Sequence, residues 1–291
     1  MINGIYAATL SLLNDDLGLD INKTISHTEK IIDNWCNEVV FFGSTGQSQL
    51  ISLTDKINLI NNLSSSSYKD KFIIGTGLNS LGDTISLMKI SKSIGFNKFL
   101  IMPPAYYKYH DEEVFNFYSN IIKVVVDCNI ILYNFEKLSG YKFSENLVYK
   151  LVENFPNQII GVKDSSFNLF EKLKIENFSL LPGSETKLLK GLQLGCTGII
   201  TATTNATASL AREVYDNFQK KKDFNSDKKL CDVRLVFEKF NLVSGLHSFF
   251  GKKNKIYKNM LPPLRILSNI EESELFEGLE LLDFKENNMV S

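Results

Sequence analysis

Eight short runs of apolar, β-branched and aromatic residues recur along this chain, and their alternation with amphipathic stretches constrains the fold more than any other feature. The runs occupy residues 4–8, 38–42, 72–75, 98–102, 130–133, 159–163, 178–181 and 198–201. Most are continuously hydrophobic rather than alternating, the pattern of parallel strands covered on both faces. Between them, apolar positions return at helical spacing. Ile25, Ile31, Ile32 and Trp35 share one face, as do Leu147, Leu151, Val152 and Phe155. Strand and helix in alternation predict a parallel sheet. About eight such units at roughly 20–35-residue spacing predict the α/β class and a closed (β/α)₈ TIM barrel. An open doubly wound sheet ranks behind it, because no G-x-G-x-x-G follows the first strand. The 291 residues exceed an ordinary single domain, but a barrel of about 250 residues is a known exception.

Beyond residue 223 the alternation stops. Residues 230–246 and 271–284 read as helices without strands between them, separated by Pro262-Pro263. The chain therefore divides into a catalytic barrel at 1–223 and a helical extension packed on it at 224–291. A net charge of −1 gives no long-range field for nucleic acid, and the run Lys220-Lys221-Lys222 reads as a solvated helix end interrupted by Asp223. Cys36, Cys128, Cys196 and Cys231 form no C-x-x-C pair, and His27, His110 and His247 are scattered, so no metal site is expected. Unpaired thiols suit a reducing compartment. The first residues lack a basic segment, and no apolar run approaches the roughly 20 residues of a membrane span. A cytoplasmic protein with no membrane partner is expected.

In such barrels the reacting groups stand at the C-terminal ends of strands and in the loops that follow. Lys163 closes the apolar run Ile159-Ile160-Gly161-Val162, which carries its stem toward the barrel mouth. Taking an ammonium out of water disfavours its charged form, and a neutral amine can attack a ketone. The bland alternative is a lysine that reaches solvent or pairs with Asp164. Tyr133 ends the neighbouring run and can bring its hydroxyl near that amine, or serve only as a core tyrosine. Ser44 and Thr45, between Gly43 and Gly46, offer hydroxyls and backbone N–H groups suited to a carboxylate or phosphate.

Taken in order, Gly43-Ser44-Thr45-Gly46, the Tyr106-Tyr107 pair after prolines, Tyr133-Asn134 with Ser139-Gly140, and Gly161-Val162-Lys163-Asp164 resemble the pyruvate-dependent class I aldolases. That family includes dihydrodipicolinate synthase, N-acetylneuraminate lyase and 2-keto-3-deoxygluconate aldolase. The resemblance runs from Gly4 to about residue 205. It implies that Lys163 forms the imine, Tyr133 moves the proton, and Ser44 and Thr45 hold the substrate carboxylate, with Ser44 also linking Tyr133 into a relay. Tyr106, or Tyr107 beside it, resembles the relay tyrosine contributed by a neighbouring subunit. Gly183, Ser184, Glu185 and Thr201 match positions on the second-substrate side. The resemblance implies no cofactor beyond the covalent imine, and a homotetramer or homodimer.

Three departures bear on the substrate. Glu136 replaces the usual proline of a Tyr-Asn-x-Pro segment, and Gln47 stands where glutamate is common. The synthase branch places an arginine directly before the Ser/Thr-Gly pair, to grip the carboxylate of its amino-aldehyde. Here that position is Leu138. Without a charge-assisted pair there, the expected partners are a 2-keto acid and a neutral polyhydroxylated aldehyde. Reversible cleavage of a 2-keto-3-deoxy sugar acid to pyruvate and an aldehyde is thus the expected reaction. Dihydrodipicolinate synthesis, and a silent keto-acid-binding paralogue, are the alternatives.

Overall fold

A computed structural model describes residues 1–222 and 225–285. Its elements run in the order β1 (Gly4–Ala8), α1 (Ile21–Asp33), β2 (Glu38–Phe41), α2 (Leu53–Leu63), β3 (Phe72–Gly75), α3 (Leu81–Ile94), β4 (Lys98–Ile101) and α4 (Asp111–Val124). There follow β5 (Asn129–Asn134), a one-turn α5 (Glu136–Ser139), α6 (Glu145–Asn154), β6 (Ile159–Asp164), β7 (Ser179–Pro182), α7 (Leu188–Gln193), β8 (Gly198–Thr201) and α8 (Thr204–Gln219). Three helices complete the described chain: α9 (Asn225–Glu238), α10 (Leu242–Gly251) and α11 (Asn269–Leu281).

All eight strands are parallel, in the order β7-β6-β5-β4-β3-β2-β1-β8. The Thr197 N–H donates to the Leu180 carbonyl at 3.0 Å across the seam between β7 and β8, so the (β/α)₈ barrel is nearly closed. Strand periodicity divides the core into two layers. Tyr6, Val40, Ile73, Leu100, Ile131, Tyr133, Leu181 and Ile200 fill the interior, while the alternate residues Ile5, Val39, Ile74, Phe99, Ile130 and Leu132 pack outward against the helices. The helices begin at side chains that satisfy free N–H groups: Asp20, Ser52, Ser80 and Ser144 each accept from the backbone three residues on.

Register on β6 decides where Lys163 points. Ile130 pairs with Ile159 but Ile131 pairs with Gly161, so Ile160 is an extra residue. Past that irregularity Val162 packs outward and Lys163 lies beside Tyr133, on the inner side. Gly161 is required there, because a Cβ would sit 2.5 Å from the Ser179 carbonyl oxygen of β7.

The structure corrects two readings of helix. Trp35 is not on the buried face of α1. That helix ends at Asp33, and Trp35 follows with φ 82° and 62% exposure. Residues 230–246 are two helices, because Asn241 takes extended backbone and caps α10 by accepting from the N–H groups of Val243 and Ser244. The boundary expected between 223 and 224 falls outside the described residues. Helices α9 to α11 share the outer hydrophobic core of the barrel through Val233, Phe237, Phe249, Leu275 and Leu279. Among the described residues no helix is long and apolar enough to cross a membrane.

Candidate active site

The loop after β2 is built for close backbone approach. Phe42 adopts φ 54°, Ser44–Gly46 form one 3₁₀ turn, and Gln47 ends it with φ 55°. At Gly46 a Cβ would meet the Thr9 carbonyl at 2.9 Å. Buried groups hold the turn from outside. Ser11 Oγ donates to the Gly46 carbonyl at 2.8 Å, and Gln47 Oε1 accepts from the Leu261 N–H at 2.8 Å. Lys56, its pKa pulled down to about 8 by burial, donates from Nζ to the carbonyls of Ser48 and Ile51 at 2.6 and 3.0 Å. Left-handed backbone at a non-glycine residue persists where its surroundings enforce it. The turn is rigid for that reason.

Lys163 and Tyr133 are register partners at the ends of β6 and β5, 3% and 4% exposed. The Lys163 Nζ lies 4.2 Å from the centre of the Tyr133 ring, and the Tyr133 hydroxyl lies 3.1 Å from Ser44 Oγ. Asp164 is not the partner of Lys163. Its Oδ1 accepts from Asn134 Nδ2 and the Phe167 N–H at 2.8 and 2.9 Å, and its Oδ2 from the N–H groups of Leu169 and Phe170 at 2.8 and 2.9 Å. Burial raises the Asp164 carboxyl pKa even against these bonds. Its work is to fold the irregular loop after β6. Among the described residues no carboxylate forms an ion pair with Lys163.

Lys163, Tyr133, Ser44, Thr45 and Gly183 line one cavity of about 680 Å³, whose outer part is walled by Glu136, Lys137, Leu138, Arg234, Glu238 and the 240–243 segment. A second cavity of about 530 Å³ meets it at Ser44, Tyr133, Leu138 and Leu264, and reaches Tyr106. Leu138, 44% exposed, stands where the two join. Tyr106 has φ 88° and 89% exposure, with the Tyr107 ring 5.1 Å away as its aromatic neighbour.

Three positions expected on the second-substrate side do not face the cavity. Ser184, Glu185 and Thr201 are 1% exposed or less and lie behind its wall. Glu185 is turned inward by its bonds. Thr201 and Thr207 donate to its Oε1, and Arg234 Nη1 binds its Oε2 at 2.9 Å. The Ser139 hydroxyl donates to the carbonyls of Phe135 and Tyr141 and is likewise occupied by the turn. Arg234 and Glu238 were not foreseen as site residues. Their i,i+4 spacing on α9 is an ordinary surface pattern in sequence, and nothing local announces that this face closes a cavity. Among the described residues no three His, Cys, Asp or Glu side chains are placed to share a metal ion.

Comparison with known proteins bears on this geometry. The sequence model of the dihydrodipicolinate synthetase family matches residues 1–247. An uncharacterized DapA-like lyase of Chloroflexus aurantiacus is 27% identical over 95% of this chain and 96% of its own length. A 2-dehydro-3-deoxy-D-gluconate/2-dehydro-3-deoxy-phosphogluconate aldolase of Picrophilus torridus is 26% identical over 76% of this chain and 85% of its own. The structure of a 4-hydroxy-tetrahydrodipicolinate synthase from Methylacidiphilum fumariolicum superposes with a TM-score of 0.89 at 22% identity. That match covers 97% of this chain and 96% of the other, a likeness of fold.

Proposed function

This chain belongs to the dihydrodipicolinate synthetase family, and on that premise we propose that it is a class I aldolase that cleaves a 2-keto-3-deoxy sugar acid reversibly to pyruvate and an aldehyde. The observation that carries the reading is the inner end of the larger cavity. There a buried Lys163 lies 4.2 Å from the Tyr133 ring, whose hydroxyl is 3.1 Å from Ser44.

The chemistry follows from those positions. The Lys163 amine adds to the keto carbon, and loss of water leaves a protonated imine. Ser44 and Thr45 hold the carboxylate through hydroxyl and N–H groups. Tyr133 gives its proton to the hydroxide that leaves the carbinolamine as water, and the resulting phenolate takes the proton from the hydroxyl on carbon 4 as the bond between carbons 3 and 4 breaks. The electron pair of that bond passes into the imine, giving an enamine, and the aldehyde leaves. Protonation at carbon 3 and hydrolysis return pyruvate and the free lysine. A positioned acid/base group of this kind contributes roughly 10²–10⁴-fold.

The neutral side chain of Leu138 at the junction of the cavities favours an uncharged aldehyde. A second reading, condensation of pyruvate with aspartate semialdehyde, has one observation in its favour. Lys137 also lines the cavity and, among the described residues, forms no ion pair. Assembly belongs to the proposal too. Tyr106 holds a strained backbone with most of its ring uncovered, which fits a side chain whose cover comes from another subunit of a dimer or tetramer. Four free cysteines fit a cytoplasmic setting.

Incubation with pyruvate and borohydride, followed by peptide mapping, should place a reduced adduct on Lys163, and Lys163→Met should abolish it. An adduct on another lysine, or none on the wild type, ends the mechanism.

A further inference from the structure

The outer wall of the cavity carries one guanidinium between two carboxylates. Arg234 Nη1 donates to Glu185 Oε2 at 2.9 Å and to Thr203 Oγ1 at 3.1 Å, and Nε donates to Glu238 Oε1 at 2.8 Å. The Arg234 and Glu185 side chains are 6% and 0% exposed, while Glu238 is 39% exposed. Arg234 Nη2 keeps two N–H groups, and among the described residues none is matched by a protein acceptor. Arg234 and Glu238 both line the cavity that holds Lys163.

We propose that Arg234 and Glu238 are the specificity-determining pair for the aldehyde half, taking a neutral vicinal diol. A hydroxyl is donor and acceptor at once. Two neighbouring hydroxyls match a fixed N–H donor beside a fixed carboxylate acceptor. The pair itself disfavours an anionic group, because two carboxylates face one guanidinium and an added carboxylate would bring a third. Arg234 thus does not replace the arginine that Leu138 displaces. Its charge is already committed to Glu185, buried behind it, and what it offers the cavity is direction rather than net charge. This inference rests on the aldolase reading above and deepens it by naming the chemistry of the second half-substrate.

The test compares an aldehyde that carries the diol with one that lacks it and with one that brings a carboxylate. Pyruvate consumption is followed with glyceraldehyde, with propionaldehyde, which lacks the hydroxyls, and with aspartate semialdehyde. The wild type should prefer glyceraldehyde. Glu238→Gln leaves the pair between Arg234 and buried Glu185 in place. It should lower kcat/KM for glyceraldehyde about tenfold, the worth of one hydrogen bond to a charged group. The value for propionaldehyde should move less than about twofold, and the semialdehyde should gain. Arg234→Lys keeps a cation for Glu185 but loses the fork, and should collapse the same ratio. An unchanged ratio of glyceraldehyde to propionaldehyde in folded Glu238→Gln, or a wild type without that preference, overturns the inference. Borohydride trapping of pyruvate on the wild type separates the two failures. If trapping fails, the aldolase reading falls. If trapping succeeds and the ratio stays put, only the role of the pair falls.

Discussion

The proposed preference for an uncharged aldehyde turns on one side chain, Leu138. It lies at the junction of the two cavities, 44% exposed, so a longer side chain there has room to reach the outer site. Bringing an aldehyde carboxylate into that space without a cation of its own carries the desolvation cost of an unpaired charge. Truncating one partner of a buried charge pair costs about 2–5 kcal/mol, roughly one and a half to nearly four decades in rate when felt in the transition state. Leu138→Arg should therefore raise kcat/KM for aspartate semialdehyde at least about tenfold relative to a keto-deoxy sugar acid. Should wild-type enzyme already prefer the semialdehyde, Lys137 becomes the residue that supplies the charge. Lys163 and Tyr133 illustrate the converse. Their positions at strand ends are local facts, and the tertiary fold adds their separation and, through the irregularity at Ile160, the side to which Lys163 points. Asp164, next to Lys163 in sequence, turns away because four hydrogen-bond donors hold its carboxylate elsewhere.

Among the elements, the segment after β4 is the one for which cover from a second copy is proposed. Tyr106 sits in left-handed backbone at φ 88°. Such a conformation in a bulky residue costs on the order of 1–3 kcal/mol and persists where surroundings enforce it. In one chain its ring is almost fully exposed, and the proposed second copy would supply the enforcing surface. Light scattering at assay concentration should give at least a dimer, and Tyr106→Phe should lower kcat about tenfold or more by removing the hydroxyl from the relay. A fully active monomer would withdraw the role from Tyr106. The loop after β2 contrasts with it. Gly46, Gln47 and Lys56 give that turn its support within the chain, so the Ser44–Gly46 turn is held without help from outside it.

At the scale of the whole molecule, a buried polar chain ties the helical extension to the barrel. His27 Nε2 bonds Asn205 Oδ1 at 3.0 Å, Tyr257 Oη bonds His27 Nδ1 at 2.9 Å, and His247 Nδ1 bonds the Tyr257 carbonyl at 2.6 Å. Burial lowers the pKa of His27 and His247 to about 4 from an ordinary 6.5. Both imidazoles are then neutral in the folded state, where the unfolded chain binds protons between pH 6.5 and 4. Stability is full above pH 6.5 and falls as pH drops toward 4, by on the order of 3 kcal/mol for each histidine. Melting temperature measured across that range should decline steeply, and His247→Gln should flatten the decline even if it lowers the plateau. A melting temperature indifferent to pH between 6.5 and 4 would show that neither ring is held neutral.

What the sequence alone determined about this protein is what short-range patterning encodes. Continuous apolar runs such as Ile130-Ile131-Leu132 and Gly198-Ile199-Ile200 mark parallel strands because both faces are covered. Chain order then puts Lys163 and Tyr133 at their C-terminal ends, on the face where a barrel opens. What only the tertiary structure decided is how charges and hydrogen bonds pair over distance. Glu185 reads in sequence as a polar residue of the mouth, and it lies buried because Arg234, 49 positions away, and two threonines satisfy its carboxylate. The break before α10 and the extra residue at Ile160 were hidden for a related reason. Capping and register depend on which neighbour supplies the missing partner, and a propensity read along one segment carries no record of that neighbour.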